Sequence, residues 1–211
     1  MSNKIDTGAE AREKLMIGID EIANSIRVTL GAKGKNVMIE TFKGGIIFTN
    51  DGVTVARSID FKDKIKSMGA GLVREAASKT EEEAGDGTST SSILFQAMVR
   101  AGQKYLALGA SPTDLKRGMQ KACDSLIETI SNDAVQIKHD SKEIEQVATI
   151  SANNDNVMGK FIAETIEKVG YDGIITVQDG SNNETKVVVV EGAEYDRGYV
   201  TPYCANNEAQ D

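Results

Sequence analysis

Nine consecutive residues carry the densest chemistry in the chain: Ala84-Gly85-Asp86-Gly87-Thr88-Ser89-Thr90-Ser91-Ser92. Two glycines flank an aspartate, five hydroxyl residues follow, and an apolar-periodic helix is predicted from Ile93. A helix N-terminus leaves its first N–H groups unpaired and carries partial positive charge. Glycines ahead of it let the backbone close around an anion, so the stretch suits a phosphate. Asp86 has no cationic neighbour inside the loop. A carboxylate beside phosphates repels them unless a cation lies between, and Mg²⁺ is the usual one. The alternative is an inter-helix loop with a Ser/Thr cap.

Two other places could join such a site. Thr29-Leu30-Gly31-Ala32-Lys33-Gly34-Lys35-Asn36 holds two glycines and two lysines. It lacks Walker A spacing, and no Ser/Thr follows the lysine. Taken alone, the stretch is better explained as a helix C-cap with solvated lysines. Asn50-Asp51-Gly52 makes Asp51 a second acidic candidate, although Asp-Gly is also an ordinary turn dipeptide.

The elements that must position these residues are mostly helical. Thr7-Gly8-Ala9-Glu10 has the form of a capping box. Leu15, Ile19, Ile22, Ile26 and Leu30 then recur on one helical face. Val37–Glu40 and Ile46–Thr49 read as a hairpin around Lys43-Gly44-Gly45. An isolated hairpin is barely stable, so another chain is expected to complete it. A helix marked by Ile65, Met68, Leu72 and Ala76 ends in Glu81-Glu82-Glu83. The helix after the Asp86 loop is stopped by Gly109, and Ser111-Pro112-Thr113-Asp114 starts the next, with Leu115, Met119, Ala122, Leu126 and Ile130 on one face.

Beyond about residue 133 the character changes. Two short helices are predicted, one started by Ser141 and one closed by Gly170. Strands are predicted at Ile174–Val177 and Lys186–Val190, followed by a pivot at Glu191-Gly192 and an aromatic tail.

Composition excludes several classes. The 211 residues are 40% hydrophobic and 27% charged, which describes a soluble globular protein with an aliphatic core. The net charge of −8 argues against a nucleic-acid surface. Cys123, Cys204 and His139 have no metal-ligand spacing. No apolar run reaches transmembrane length and no signal-peptide core is seen, so a reducing, cytoplasmic location is expected and no membrane partner.

Six stretches, in order, resemble the N-terminal part of a group I chaperonin of the bacterial GroEL type. They are Val28–Gly31, Asp51-Gly52-Val53 with Val55-Ala56-Arg57, Ala84–Thr88, Asp114–Gly118, Thr149–Asn153 and Asp196–Tyr199. Group II chaperonins share the Gly-Asp-Gly-Thr loop, whereas Asp-Leu-Lys-Arg-Gly and Asp-Arg-Gly-Tyr favour group I.

The resemblance implies a mostly α fold with short β hairpins. Residues 1–133 correspond to the N-terminal half of an equatorial, ATP-binding domain. Residues 134–190 correspond to the first half of an α+β intermediate domain, and 191–211 to the start of an apical domain. It implies ATP and Mg²⁺ as cofactors. Thr29, Leu30, Gly31, Ala32 and Asn50 are then nucleotide-contacting positions, and Asp86, Gly87, Thr88, Ser89 and Thr90 wrap the phosphates. Asp86 holds Mg²⁺, and Asp51 assists hydrolysis. Tyr199 and Tyr203 match apical residues that touch non-native polypeptides and the co-chaperonin. The hairpin pairs with a neighbouring subunit in a ring.

Departures accompany the match. Ala32 replaces the family's proline, Asn50 a lysine beside the γ-phosphate, and Cys204 an aromatic. Family members are more than twice this long. The resemblance therefore leaves two expectations. The chain is an ATP-dependent folding subunit of a homo-oligomeric ring, or it is a truncated fragment that joins or modulates full-length subunits without hydrolysing ATP. Without their partners, its long helices are expected to expose an apolar face.

Overall fold

A computed structural model describes residues 7–31, 33–41, 44–137, 141–170, 173–177, 185–190 and 192. The chain divides into two units, Met1–Asp133 and Ala134–Asp211.

The first unit is built on α1 (Gly8–Arg27), a helix of 20 residues. Met16, Ile19, Ile22 and Ile26 lie on one face and are buried, as a 3.6-residue period requires. The predicted capping box is not formed: Thr7 makes no side-chain cap hydrogen bond. Gly8 has a φ of +87°, so the first peptide departs from the helical line, and Glu10 pairs with Lys14 at 2.9 Å instead. The helix ends at Arg27, which leaves Leu30 exposed in the following turn rather than on the apolar face.

The strands β1 (Val37–Glu40) and β2 (Ile46–Thr49) pair antiparallel, with Met38 opposite Phe48 and Ile39 opposite Ile47. Val37 and Ile39 pack on the core, while Met38, Ile46 and Phe48 are exposed. A short helix follows that sequence periodicity does not predict, α2 (Gly52–Ser58). Its seven residues are too few to show a period, and its two valines favour strands. Val55 and Ala56 nevertheless enter the core.

The helix α3 (Lys64–Ala84) packs closely against α1. Asp63 caps it, accepting from the Ile65 and Lys66 backbone N–H groups at 2.8 and 3.1 Å. Glycines make the approach possible. A Cβ on Gly18 would overlap the Lys66 carbonyl oxygen, and one on Gly69 would overlap that of Leu15. Each glycine thus admits the other helix's backbone, and Ala70 and Val73 reach the α1 isoleucines.

The next helix, α4 (Thr88–Ala107), starts five residues earlier than Ile93. The hydroxyl residues form its first turn instead of a loop. Its end follows the sequence: Gly109 has a φ of +89°, and Ala110 and Gly109 N–H groups bond the Tyr105 and Leu106 carbonyls at 3.0 and 3.1 Å. The helix α5 (Pro112–Asp133) starts as expected, with the Asp114 N–H donating to Ser111 Oγ at 3.4 Å. No residue of α5 is buried; Leu126 and Ile130 are 60% and 65% exposed. Met98 and Leu106 of α4 and Leu115 and Met119 of α5 line a shallow groove of about 390 Å³.

In the second unit, α6 (Ser141–Ser151) and α7 (Asn156–Val169) form a helical hairpin. Asn153 and Asn154 take left-handed φ values of 56° and 65° in the turn. Asp155 caps α7 through the Val157 and Met158 N–H groups. The strands expected at 174–177 and 186–190 are not formed among the described residues. Ile174, Ile175, Val177, Val188, Val189 and Val190 are exposed, and Val187 is half-buried. Strand propensity reflects packing on a sheet, and among the described residues these segments have no sheet to join. Among the described residues, no helix is long and apolar enough to cross a membrane.

Candidate functional site

Three corners of the first unit carry the residues singled out from sequence. The first is the turn after α1. Thr29 Oγ1 donates to the Ile26 carbonyl at 2.8 Å. Gly31, with a φ of +82°, accepts from the Gly34 N–H at 2.8 Å, and Lys35 N–H closes the turn on the Val28 carbonyl at 2.9 Å. Gly34 is forced by crowding, since a Cβ there would overlap the Thr29 carbonyl. Ala32 lies outside the described residues.

The second corner is the start of α2. Asn50 is exposed there. Asp51 is the N-cap residue rather than a free turn aspartate. Its Oδ1 accepts from the Val53 N–H at 3.3 Å, and its Oδ2 accepts from the Thr54 N–H at 2.9 Å and Thr54 Oγ1 at 2.6 Å. Burial pushes the Asp51 carboxyl up. The Thr54 hydroxyl, the Thr54 and Val53 N–H groups and the Arg57 charge outweigh it, and the net shift is below the ordinary value. Asp51 is therefore an ionised, weakly basic carboxylate at neutral pH.

The third corner is the start of α4. Gly85 and Gly87 have φ values of 71° and 85°, a conformation that favours glycine. Between them Asp86 is exposed and accepts from the Gly87 N–H at 2.6 Å. Gly87 is the N-cap residue and has no side chain to cap with. Ser91 and Ser92 turn their hydroxyls back to the Thr88 carbonyl at 2.9 and 2.8 Å. Thr88, Ser89 and Thr90 are left with the first N–H groups of the helix and with hydroxyls not so committed.

The second and third corners meet. A Cβ on Gly52 would overlap Ser89 Oγ and would stand 3.1 Å from Ile26 Cγ2. Gly52 thus brings the Asp51 cap, the end of α1 and the open end of α4 together. Two helix N-termini converge here, one satisfied by its own carboxylate and one not. An uncapped N-terminus framed by left-handed glycines can hold an anion through backbone N–H groups. Asp86 is a hard oxygen donor at the rim, the type Mg²⁺ takes alongside phosphate oxygens.

Sequence reasoning misses Gly52 and Thr54 as parts of this corner. Asp51 as a favoured N-cap residue, with a hydroxyl residue three positions on, is the signal that could have found the second. Tyr199 and Tyr203 lie outside the described residues.

The cap makes a prediction for Asp51. Replacing it with Ala should cost about 1 kcal/mol, whereas Asn, an equally good N-cap, should cost little. Because the carboxyl is held below its ordinary value, its stabilisation is complete above pH about 3.9 and is lost as pH falls through the lower folded value. Urea titrations of the three proteins at neutral and acid pH check both statements.

A family model, that of the TCP-1/cpn60 chaperonin family, matches residues 22–210. The match takes in all three corners and most of both units. With the turn after α1, the Asp51 cap and the open end of α4 all inside it, the chain belongs to the TCP-1/cpn60 chaperonin family.

Proposed function

We propose that this chain is the nucleotide-binding part of a group I chaperonin subunit, which couples binding and hydrolysis of ATP to the folding of non-native polypeptides in the cytoplasm. The observation that carries this reading is the uncapped start of α4 set against Gly52 and the Asp51 cap.

In this reading the N–H groups of Thr88, Ser89 and Thr90 bind the phosphates, and the turn at Thr29, Leu30, Gly31 and Ala32 closes over the nucleotide. Asp86 would hold Mg²⁺, which neutralises phosphate charge and so removes the repulsion its carboxylate would otherwise exert. Asp51 is too weak a base to take a proton readily. Its role is to orient a water toward the γ-phosphate for in-line attack. Asn50 adds no charge there. Tyr199 and Tyr203 would meet unfolded substrate or the co-chaperonin.

Ring assembly belongs to the same proposal. Phe48 is 68% exposed on β2, and among the described residues β2 has no partner but β1. An apolar edge strand of this kind takes a strand from another chain. Replacing Ile46 and Phe48 together with Lys should abolish assembly while sparing the helices. Rings that persist on light scattering would remove the hairpin from the seam.

That edge also favours a second reading, in which the chain acts by joining other chaperonin subunits and hydrolyses nothing. Size exclusion with light scattering, followed by phosphate release from each peak with and without Mg²⁺, separates the two. A ring-sized species with Mg²⁺-dependent turnover supports the first reading. Inert species that bind other chaperonin subunits support the second.

A further inference from the structure

The polar residues between α1 and α4 form a seam inside an otherwise apolar contact. Gln96 is 1% exposed. Its Oε1 accepts from Arg27 Nη2 at 2.7 Å. Its Nε2 donates to Asp20 Oδ1 at 2.7 Å and reaches Asn24 Oδ1 at 3.3 Å. Asp20 Oδ1 also accepts from Arg100 Nε at 2.8 Å. Asp20, Asn24 and Arg27 stand at steps of four and three on α1. Ser89, Ser92, Gln96 and Arg100 stand at steps of three, four and four on α4. Both sets are single stripes, and the α4 stripe ends at the serine that packs against Gly52.

We propose that Gln96, with Arg27 and Asp20, is a positioning residue: it sets the axial register of α4 against α1 and thereby places the open N-terminus of α4 beside Gly52 and Asp51. Apolar contacts from Phe95 and Val99 are non-directional and tolerate sliding. The amide fork does not. It must find a donor for its oxygen and acceptors for its nitrogen, and a buried amide left unpaired costs about 1–3 kcal/mol. A slip of one turn, about 5.4 Å, breaks every bond of the seam and carries Ser89 away from Gly52. Gln96 lies seven residues, about 10 Å, along the helix from Ser89, so a rigid helix transmits the register to its tip. A buried polar contact fixing register has precedent in helical pairs. The geometry stands by itself; the consequence for ligand binding rests on the nucleotide reading of that tip.

Amide hydrogen exchange and Mg·ATP binding, measured on the whole chain, test the proposal. In Gln96→Leu and in Arg27→Met, exchange of the nucleotide-free protein should quicken about 10-fold at residues 88–95, the scale of one lost buried hydrogen bond, with α3 and α7 unchanged. The Kd for Mg·ATP of the folded protein should rise by a similar factor, about 10-fold. Arg27→Lys, which keeps a donor, should recover most of both effects. Exchange that quickens evenly across the first unit, or a Kd that stays fixed while only stability falls, would reduce the seam to packing and overturn the proposal. Should Gln96→Leu fail to fold, Arg27→Met decides, because it alters an exposed side chain. If the parent chain binds no Mg·ATP, the nucleotide reading falls, and the exchange at residues 88–95 still decides the register.

Discussion

Asp86→Ala should weaken Mg·ATP binding about 100-fold, the scale of a lost charged contact of ~3 kcal/mol. Helical content should not change, because Asp86 is exposed and lies between α3 and α4 rather than within a helix. The sharper expectation concerns nucleotide without the metal. There the same substitution should leave binding unchanged or improve it, since it removes a negative charge from beside the phosphates. A role for Asp86 in shaping the loop would instead weaken both. Its bond from the Gly87 N–H makes that alternative concrete. Titration of a fluorescent ATP analogue in Mg²⁺ and in EDTA reads all four combinations of protein and metal.

The largest effect on stability should come from glycines with no part in the chemistry. Gly18→Ala or Gly69→Ala should cost at least ~3 kcal/mol, the upper range for overpacking, because the added carbon meets backbone rather than a side chain that can turn aside. Gly71 lies in the same helix as Gly69, and a Cβ there meets nothing within 4 Å. Gly71→Ala should therefore stabilise the protein by about 0.5–1 kcal/mol through helix propensity and a stiffer unfolded chain. Urea midpoints of the three variants check the ordering. Equal effects at Gly69 and Gly71 would show that α1 and α3 do not approach as closely as the structure places them.

These glycines also show where sequence reading stops. The isoleucine stripe of α1, the hairpin turn, the Ser111 cap and the Gly109 stop are written locally, so spacing and residue type reveal them. The α1–α3 contact is not local. Gly18 and Gly69 have no signature until two backbones are laid together, and Gly71 differs from Gly69 only in the direction it faces. The site divides in the same way. The Asp86 loop is legible because glycine, acid and hydroxyl residues follow one another. The meeting of that loop with Asp51 depends on Gly52, which by itself reads as half of a turn. Hydroxyl residues at 88–92 read as loop because their helix propensity is modest; in the structure they are helical, with Ser92 buried and the Ser91 and Ser92 hydroxyls satisfied on the Thr88 carbonyl. In the second unit, Ile174–Val177 and Lys186–Val190 carry strong strand composition. Composition alone did not make a ladder among the described residues, since a strand needs a neighbour as well as a propensity.

The most direct test of the central claim is amide hydrogen exchange of the purified chain with and without Mg·ATP. Binding at the open end of α4 should slow exchange at residues 87–92, with accompanying protection at 28–35 and 51–54 and none in α6 or α7. Unchanged exchange at residues 87–92 under saturating Mg·ATP would contradict it, as would protection confined to other segments.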